Sequence, residues 1–193
     1  KGYNMFFVAK RVEGLSKKTM TYYRDTIDKL LATVQKPLSK ITTDDLRWYL
    51  AYRQVKHNVS SVTTDNERRI FSSFFGWLSG EEYIPKDICK PLKKVKAPQR
   101  KKKAFTEIEI QKIKDGCMKL NGELACKRAI ALVEFLLSTG CRVGEIALLK
   151  KSDIDLDART ALVFGKGSKE RIVYLNQVSK MRLMEYWDVR KDE

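Results

Sequence analysis

Histidine is nearly absent from this sequence, since the 193 residues include only His57. A single imidazole excludes a metal site built from several histidines, and its position just past a predicted surface helix is typical of a solvated loop residue. The four cysteines (Cys89, Cys117, Cys126 and Cys141) form no C-x-x-C pair, so the spacing of a zinc site is missing as well. We therefore expect no metal.

Long apolar runs are also absent. The longest, from Ala129 to Leu137, is interrupted by Glu134 and is too short to span a bilayer. No secretory signal opens the chain, and free, scattered thiols are typical of a reducing compartment. We expect a cytoplasmic protein with no membrane partner. Because the first residue is Lys1 and not methionine, we also expect the chain to be a piece of a longer protein.

Acidic residues are few compared with basic ones. The sequence has 24 Asp and Glu against 39 Lys and Arg, which gives a net charge of +15. With 43% hydrophobic residues the chain has the composition of a folded protein, with room for one large domain or two small ones. A folded chain this basic favours a polyanionic partner, either nucleic acid or an acidic membrane surface.

Three of the four prolines fall within one short segment, at Pro85, Pro91 and Pro98. Residues 86–103 hold nine Lys or Arg, including Lys101, Lys102 and Lys103, and one acid, so eighteen residues carry +8 of the charge. Such a segment is typical of an extended linker. It is either a flexible tether or a basic strap along a phosphate backbone, and we favour the strap because clustered lysines usually contact phosphates.

Residues 1–85 show helical patterns throughout. Ser16 can cap a helix that runs to about Val34. Thr42 and Asp45 approximate a capping box for a helix to about Val55. A third helix is predicted from about Ser61 to Gly80, and its apolar residues are spread so widely that we expect it to be central.

Residues 104–193 show a mixed pattern. Helices are predicted at about 106–119, 123–138, 142–149 and 177–190. Two β-rich runs, 160–164 and 171–175, flank a six-residue loop and predict a β-hairpin. The expected organisation is a domain at 1–85, a linker at 86–103 and a second, incomplete domain at 104–193.

The segment Ser-Thr-Gly-Cys-Arg-Val-Gly-Glu-Ile, residues 138–146, is the strongest local feature. Gly140 allows a sharp turn, after which Arg142 stands at the start of a helix, where an arginine can hold a phosphate. Glu145, three residues later, can hold the guanidinium from behind. A purely structural Arg–Glu pair explains the same residues. In the hairpin loop, Lys166 lies between two glycines, and it is either a solvated turn residue or a lysine that enters a nucleic-acid groove.

Taken together, residues 138–146, Asp153-Ile154 and the loop Gly-Lys-Gly-Ser-Lys-Glu-Arg at 165–171 resemble the tyrosine recombinases, which include phage and transposon integrases and Xer-type resolvases. The pattern Ser-x-Thr-x-x-x-x-Arg at 61–68, followed by Phe-Phe-x-Trp-Leu at 74–78, is similar to a helix of that family's core-binding domain. The resemblance implies a mostly α protein. Its parts are an all-α, SAM-like core-binding domain and a truncated α+β catalytic domain with a β-hairpin.

The resemblance also implies an activity. Tyrosine recombinases hold duplex DNA between two domains, and a tyrosine attacks the scissile phosphate to form a 3′-phosphotyrosine without metal or nucleotide cofactor. By this resemblance Arg142 is the first catalytic arginine, which neutralises the non-bridging oxygens. Lys166 is the hairpin lysine, a general acid toward the leaving oxygen, and Glu145 supports the arginine.

The sequence departs from the family in its second half. The His-x-x-Arg box, the later His or Trp and the late nucleophilic tyrosine have no counterpart, and Tyr174 and Tyr186 lie too early to be that nucleophile. We expect a chain that binds DNA and cannot by itself cut it. Full-length family members form tetramers on paired DNA sites, whereas we expect a monomer off DNA for this chain.

The DNA contacts implied by the resemblance lie on the helices at about 43–55 and 61–79. The polar candidates there are Arg47, Arg53, Lys56, Asn66, Arg68 and Arg69, with Lys169 and Arg171 on the hairpin. Each of them is equally well explained as a solvated surface residue. Two other functions stay open: a non-catalytic DNA-binding or regulatory protein that reuses the fold, and a basic RNA-binding protein. Buried aromatic residues weaken the RNA interpretation.

Overall fold

The computed structural model describes residues 1–98, 102–165 and 169–191. The chain divides into two compact units, with the division between Lys101 and Lys102. The first unit is all-helical and the second combines helices with a small sheet, so the predicted mostly α fold class is confirmed. No helix in the described ranges is both long enough and apolar enough to cross a membrane.

Residues 1–98 of the first unit contain four α-helices: α1 (Gly2–Val12), α2 (Lys17–Val34), α3 (Thr43–His57) and α4 (Ser61–Gly80). The sequence predicted α2, α3 and α4, and their caps are present. Ser16 accepts a hydrogen bond from the Thr19 N–H, and Thr42 with Asp45 forms a complete capping box. The sequence analysis did not single out α1, because Lys1 provides no side-chain cap that would mark its start.

Helix α4 lies at the centre of the first unit, as its wide apolar surface predicted. Phe71, Phe74 and Phe75 are fully buried, and α4 contacts the other three helices. The Phe6 ring of α1 meets the Phe74 ring edge to face, with centroids 5.0 Å apart. Burial of these rings contributes to the hydrophobic core that holds the four helices together.

The front of the predicted linker is packed onto the helices and does not form a free tether. Ile88 and Cys89 are buried in the core of the first unit. The Thr43 hydroxyl donates a hydrogen bond to the Ile88 carbonyl at 2.8 Å. Burial raises the pKa of the Cys89 thiol to about 12, so this cysteine is a packing residue without reactive character. The apolar residues among the lysines are the physical reason for this docking. Farther on, Lys102 and Lys103 are exposed, and Lys101 lies outside the described residues.

In its described residues the second unit has four α-helices and a three-stranded antiparallel sheet in the order β1-β2-β3. In chain order its elements are α5 (Glu107–Met118), α6 (Glu123–Thr139), α7 (Val143–Ile146), β1 (Ile154–Asp155), β2 (Thr160–Phe164), β3 (Glu170–Tyr174) and α8 (Gln177–Val189). The hairpin of β2 and β3 confirms the predicted strands, with β3 starting one residue earlier. Its core lies between α6, the sheet and α8, and includes Phe135, Val163, Val173 and Leu183.

The predicted helix at 142–149 is wrong in length, because α7 covers only Val143–Ile146. The chain leaves the helix here and enters a short 3₁₀ turn at Lys151–Asp153, where the Asp153 carboxylate accepts the Lys150 N–H at 2.8 Å. This turn leads into β1, a two-residue strand that the sequence analysis missed because it is too short to show an alternating pattern.

Candidate functional site

A glycine turn at the end of α6 and a hydrogen bond at the start of α7 together place Arg142. Gly140 ends α6 in the left-handed conformation at φ +62°, and its N–H donates to the Leu136 carbonyl at 3.0 Å. The chain then extends through Arg142, whose own N–H donates to the Glu145 carboxylate at 2.8 Å. The local sequence alone therefore fixes where the Arg142 side chain leaves the backbone.

Glu145 is the centre of the site. Its carboxylate is only 6% exposed, yet it accepts hydrogen bonds from two arginines. One Arg142 Nη donates at 3.0 Å, and both Nη atoms of Arg171 donate, at 2.8 and 2.7 Å. These hydrogen bonds, with those from Arg171 contributing most, hold the pKa of Glu145 at about 2, well below its usual range. At neutral pH the carboxylate therefore carries a negative charge between two guanidinium groups.

The Arg142 guanidinium faces solvent although it is anchored. Its side chain is 78% exposed, and one Nη contacts Glu145. A guanidinium carries five N–H donors, so several remain available for an oxyanion from solvent. The two interpretations of the sequence are thus compatible, because the structural pair exists and also orients an exposed cation.

Arg171 has a partner that the sequence analysis missed. It was predicted as a DNA contact, and its side chain, 40% exposed, forms a two-pronged ion pair with Glu145. Glu145 in turn raises the pKa of Arg171. The two residues lie 26 positions apart: Glu145 is on α7, which contacts β2, and Arg171 is on β3, where it lies opposite Val163 of β2. No local sequence signal announces that contact, and a role of Arg171 on DNA stays a prediction.

The hairpin loop begins against this cluster. A side chain on Gly165 would meet Arg171 Nη1 and the Lys169 carbonyl oxygen at 3.4 Å and Glu145 Oε1 at 3.5 Å. The Gly165 N–H also donates to the Lys169 carbonyl at 2.7 Å, which closes the base of the loop. Lys166 itself lies outside the described residues, and Lys169 is exposed. The distances from a side chain at Gly165 to Arg171 and Glu145 are ordinary van der Waals distances, so the base of the loop lies directly beside the two charged side chains.

The candidates on α3 and α4 fall into two groups. Arg53 is 18% exposed and donates to buried Glu67, and Arg68 is 15% exposed and donates to buried Asp65, both at 2.8 Å. These two arginines have internal partners that explain their presence. The other four candidates are exposed: Arg47, Lys56, Asn66 and Arg69. DNA contact stays a prediction for all six.

Replacing Glu145 with glutamine should remove a pH dependence of stability. A carboxyl with a folded-state pKa of about 2 and an ordinary pKa of 4.5 stabilises the fold fully above its unfolded pKa, and this contribution disappears as the pH falls from 4.5 toward 2. The variant should therefore be less stable than the wild-type protein at pH 7 and approach it near pH 2. Urea unfolding followed by circular dichroism at both pH values measures the difference. An unchanged gap at pH 2 would contradict the ionised cluster.

Comparison with known proteins identifies the family. Residues 3–84 match the model of the phage integrase N-terminal SAM-like domain, and residues 103–193 match the model of the phage integrase family. The chain belongs to the phage integrase family of tyrosine recombinases. This confirms the resemblance carried by the two motifs around Arg142 and Lys166.

Two bacterial relatives show how much of a recombinase this integrase-family chain represents. It is 30% identical to the tyrosine recombinase XerC of Pediococcus pentosaceus over 183 residues, which are 92% of this chain and 59% of that protein. It is 31% identical to XerD of Ralstonia nicotianae over 166 residues, which are 83% of this chain and 52% of that protein. The chain thus spans between half and three fifths of these relatives.

Solved structures show the same fold. A lambda integrase (75–356) dimer bound to a COC′ core site superimposes with a TM-score of 0.78 at 20% identity, covering 97% of this chain and 68% of that one. The Tn1549 transposon integrase in complex with a circular intermediate DNA gives a TM-score of 0.67 at 16% identity, covering 97% and 65%. The predicted order, a SAM-like helical domain followed by part of an integrase catalytic domain, is confirmed.

Proposed function

We propose that this chain is the front part of a site-specific recombinase, and that by itself it binds duplex DNA without cutting it. The observation that carries the proposal is the exposed guanidinium of Arg142 held on the buried carboxylate of Glu145. A fixed arginine that faces solvent next to a basic hairpin is suited to a phosphodiester.

Arg142 neutralises the non-bridging oxygens of the scissile phosphate as negative charge develops in the transition state. Glu145 stays ionised at neutral pH, since its pKa is about 2, and it therefore keeps the guanidinium oriented before DNA arrives. Arg171 shares that carboxylate and contributes a second positive charge at the same place. The cluster of Arg142, Glu145 and Arg171 is thus arranged to stabilise negative charge on a phosphate.

The complete reaction needs groups beyond this cluster. A tyrosine oxygen attacks the phosphorus and forms a 3′-phosphotyrosine, while the 5′-oxygen leaves with a proton, for which Lys166 is the proposed acid. The sequence has no His-x-x-Arg box, and the exposed Tyr174 on β3 is part of the hairpin. We assign the nucleophile and the second arginine to a part of the recombinase outside these residues.

The helical unit and its basic segment hold the duplex in this proposal. The net charge of +15 supports a partner with a regular array of phosphates, and the exposed residues on α3 and α4 supply contacts. The partner is cytoplasmic double-stranded DNA of a mobile element or chromosome. The full-length protein acts as a tetramer on paired sites, and this chain is a monomer off DNA.

A nicked suicide duplex tests the proposal directly. A pool of such duplexes with randomised core sequence is incubated with the protein, and covalent adducts are sought by denaturing electrophoresis while a native gel reports binding. We expect retarded complexes in the native gel and no covalent adduct. An adduct would show that a tyrosine of this chain is a nucleophile after all. Absence of both adduct and retarded complex would overturn DNA binding itself.

A further inference from the structure

Asp65, near the start of α4, accepts hydrogen bonds from two arginines of α4 and from one main-chain N–H of the basic segment. Its carboxylate is buried, with a side chain 8% exposed. It accepts the Arg68 Nε at 2.8 Å, the Arg69 Nε at 3.1 Å and the main-chain N–H of Val95 at 3.0 Å. The first two donors lie on the same helix, whereas Val95 comes from the basic segment thirty residues later.

The segment that contains Val95 presents its lysines outward. We call residues 91–96, a part of the basic segment at 86–103, the strap. Leu92 and Val95 are half-buried, and Leu92 packs on the core of the first unit. Lys93, Lys94 and Lys96 are all exposed. The strap is therefore attached by its apolar side chains, by the Leu92 N–H on the Cys89 carbonyl at 2.8 Å and by the Val95 N–H on Asp65, while its charges remain available to a partner.

The strap lies beside other exposed cations of the first unit. Arg47, Thr64, Lys93 and Val95 line a common cavity of about 410 Å³, so the strap runs along α3 and the start of α4. Arg69 donates to Asp65 through its Nε, and its side chain is 62% exposed. Its two Nη atoms carry further N–H donors that can bind a phosphate. One surface thus combines charges from α3, α4 and the strap.

We infer that Asp65 is a positioning residue that fixes the strap and the α4 arginines into one phosphate-binding surface. The inference rests on the proposed binding of duplex DNA by this chain. Its physical basis is that a buried carboxylate with charged and main-chain donors is costly to leave unpaired. The three groups are therefore held together in the folded unit. Without Asp65 the strap loses its main-chain anchor at Val95, and the lysines on either side of Val95 lose their fixed spacing.

The variant Asp65→Asn distinguishes a positioning role of Asp65 from the simple effect of its charge on DNA affinity. It raises the net charge by one, so a purely electrostatic effect would strengthen binding to DNA. A positioning role predicts the opposite: affinity for a mixed-sequence duplex about tenfold lower, and a salt dependence shallower by about 1 to 3 in slope, since each phosphate contact contributes about 0.9. Asp44→Asn is the matched control, because Asp44 also pairs with an arginine at 2.7 Å but its side chain is 85% exposed. We expect the control to bind at least as tightly as the wild-type protein.

The variant Val95→Pro tests the anchor without any change of charge. Proline has no N–H, so the bond to Asp65 is lost while both arginines keep their partner. Trypsin cleavage after Lys93 and Lys96, followed by mass spectrometry, reports release of the strap and needs no DNA. We expect cleavage about tenfold faster than in the wild-type protein for Val95→Pro and for Asp65→Asn. The double variant should be cleaved little faster than either single variant, because both substitutions remove the same Val95–Asp65 hydrogen bond.

The outcomes separate the two proposals. Unchanged trypsin cleavage in both folded variants would overturn the positioning role, whatever the DNA result. Faster cleavage together with tighter DNA binding by Asp65→Asn would also overturn it, because the released strap would then not matter for phosphate contacts. Failure of the wild-type protein to bind duplex would refute the proposed function instead. Circular dichroism tests whether each variant is folded. If Asp65→Asn unfolds, Asp65→Glu, which retains the charge, replaces it and should bind DNA with an affinity below that of the wild-type protein, because the longer side chain misplaces the Val95 N–H and the two arginines.

Discussion

Replacing Phe74 with alanine is expected to destabilise the first unit by about 3–5 kcal/mol, the range for deleting a buried aromatic ring. The Phe74 side chain is fully buried in the middle of α4. Its ring centroid lies 5.0 Å from that of Phe6, 5.1 Å from that of Phe75 and 6.3 Å from that of Tyr3. The substitution removes all three ring contacts and leaves a cavity that helix packing cannot close. Urea unfolding followed by far-ultraviolet circular dichroism measures the change.

Val55→Ala is the control for that experiment. Val55 lies on α3 and is 86% exposed, so its truncation should change the free energy of unfolding by less than about 0.5 kcal/mol. If Phe74→Ala cost no more than this control, the aromatic cluster would not be the centre of the first unit, and the assignment of α4 as the central helix would be wrong.

Binding to duplex DNA is expected to fall by roughly 10³–10⁵ in affinity between about 50 and 200 mM salt, if about six to ten phosphates are contacted. The reason is the excess of cations, +15 in total with +8 between residues 86 and 103. Fluorescence anisotropy with a mixed-sequence duplex and an RNA hairpin across a salt series measures it. Tighter binding to the duplex supports the recombinase proposal. Equal affinity for the hairpin would mean that the basic segment acts as a generic polycation.

The same assay tests Arg142. Arg142→Ala should make the slope of affinity against salt shallower by about 1, because one phosphate contact is lost. Arg182→Ala removes the same charge from α8, where Arg182 pairs with Glu185 on the same helix, and it should leave the slope nearly unchanged. Equal changes of slope in the two variants would mean that Arg142 makes no specific phosphate contact and acts only through its charge.

Much of this protein is determined by interactions close in sequence. The capping residues Ser16, Thr42 and Thr106 each bond to a group three residues away, and so they mark helix starts without knowledge of the fold. Gly140 and Glu145 fix the backbone and the anchor of Arg142 within five residues. The family motifs are likewise contiguous, and for this reason the sequence sufficed to recognise an integrase-type chain.

The tertiary structure alone decided which groups distant in sequence are paired. Arg171 reaches Glu145 across 26 positions, Arg53 reaches Glu67 across 14, and Val95 reaches Asp65 across 30. Such pairs depend on how helices and strands pack, and composition or periodicity carries no record of them. A basic segment with the composition of a free linker is therefore docked in part. Burial of apolar surface on Leu92 and its neighbours Ile88 and Cys89 stabilises the docked form, while the lysines remain exposed to solvent.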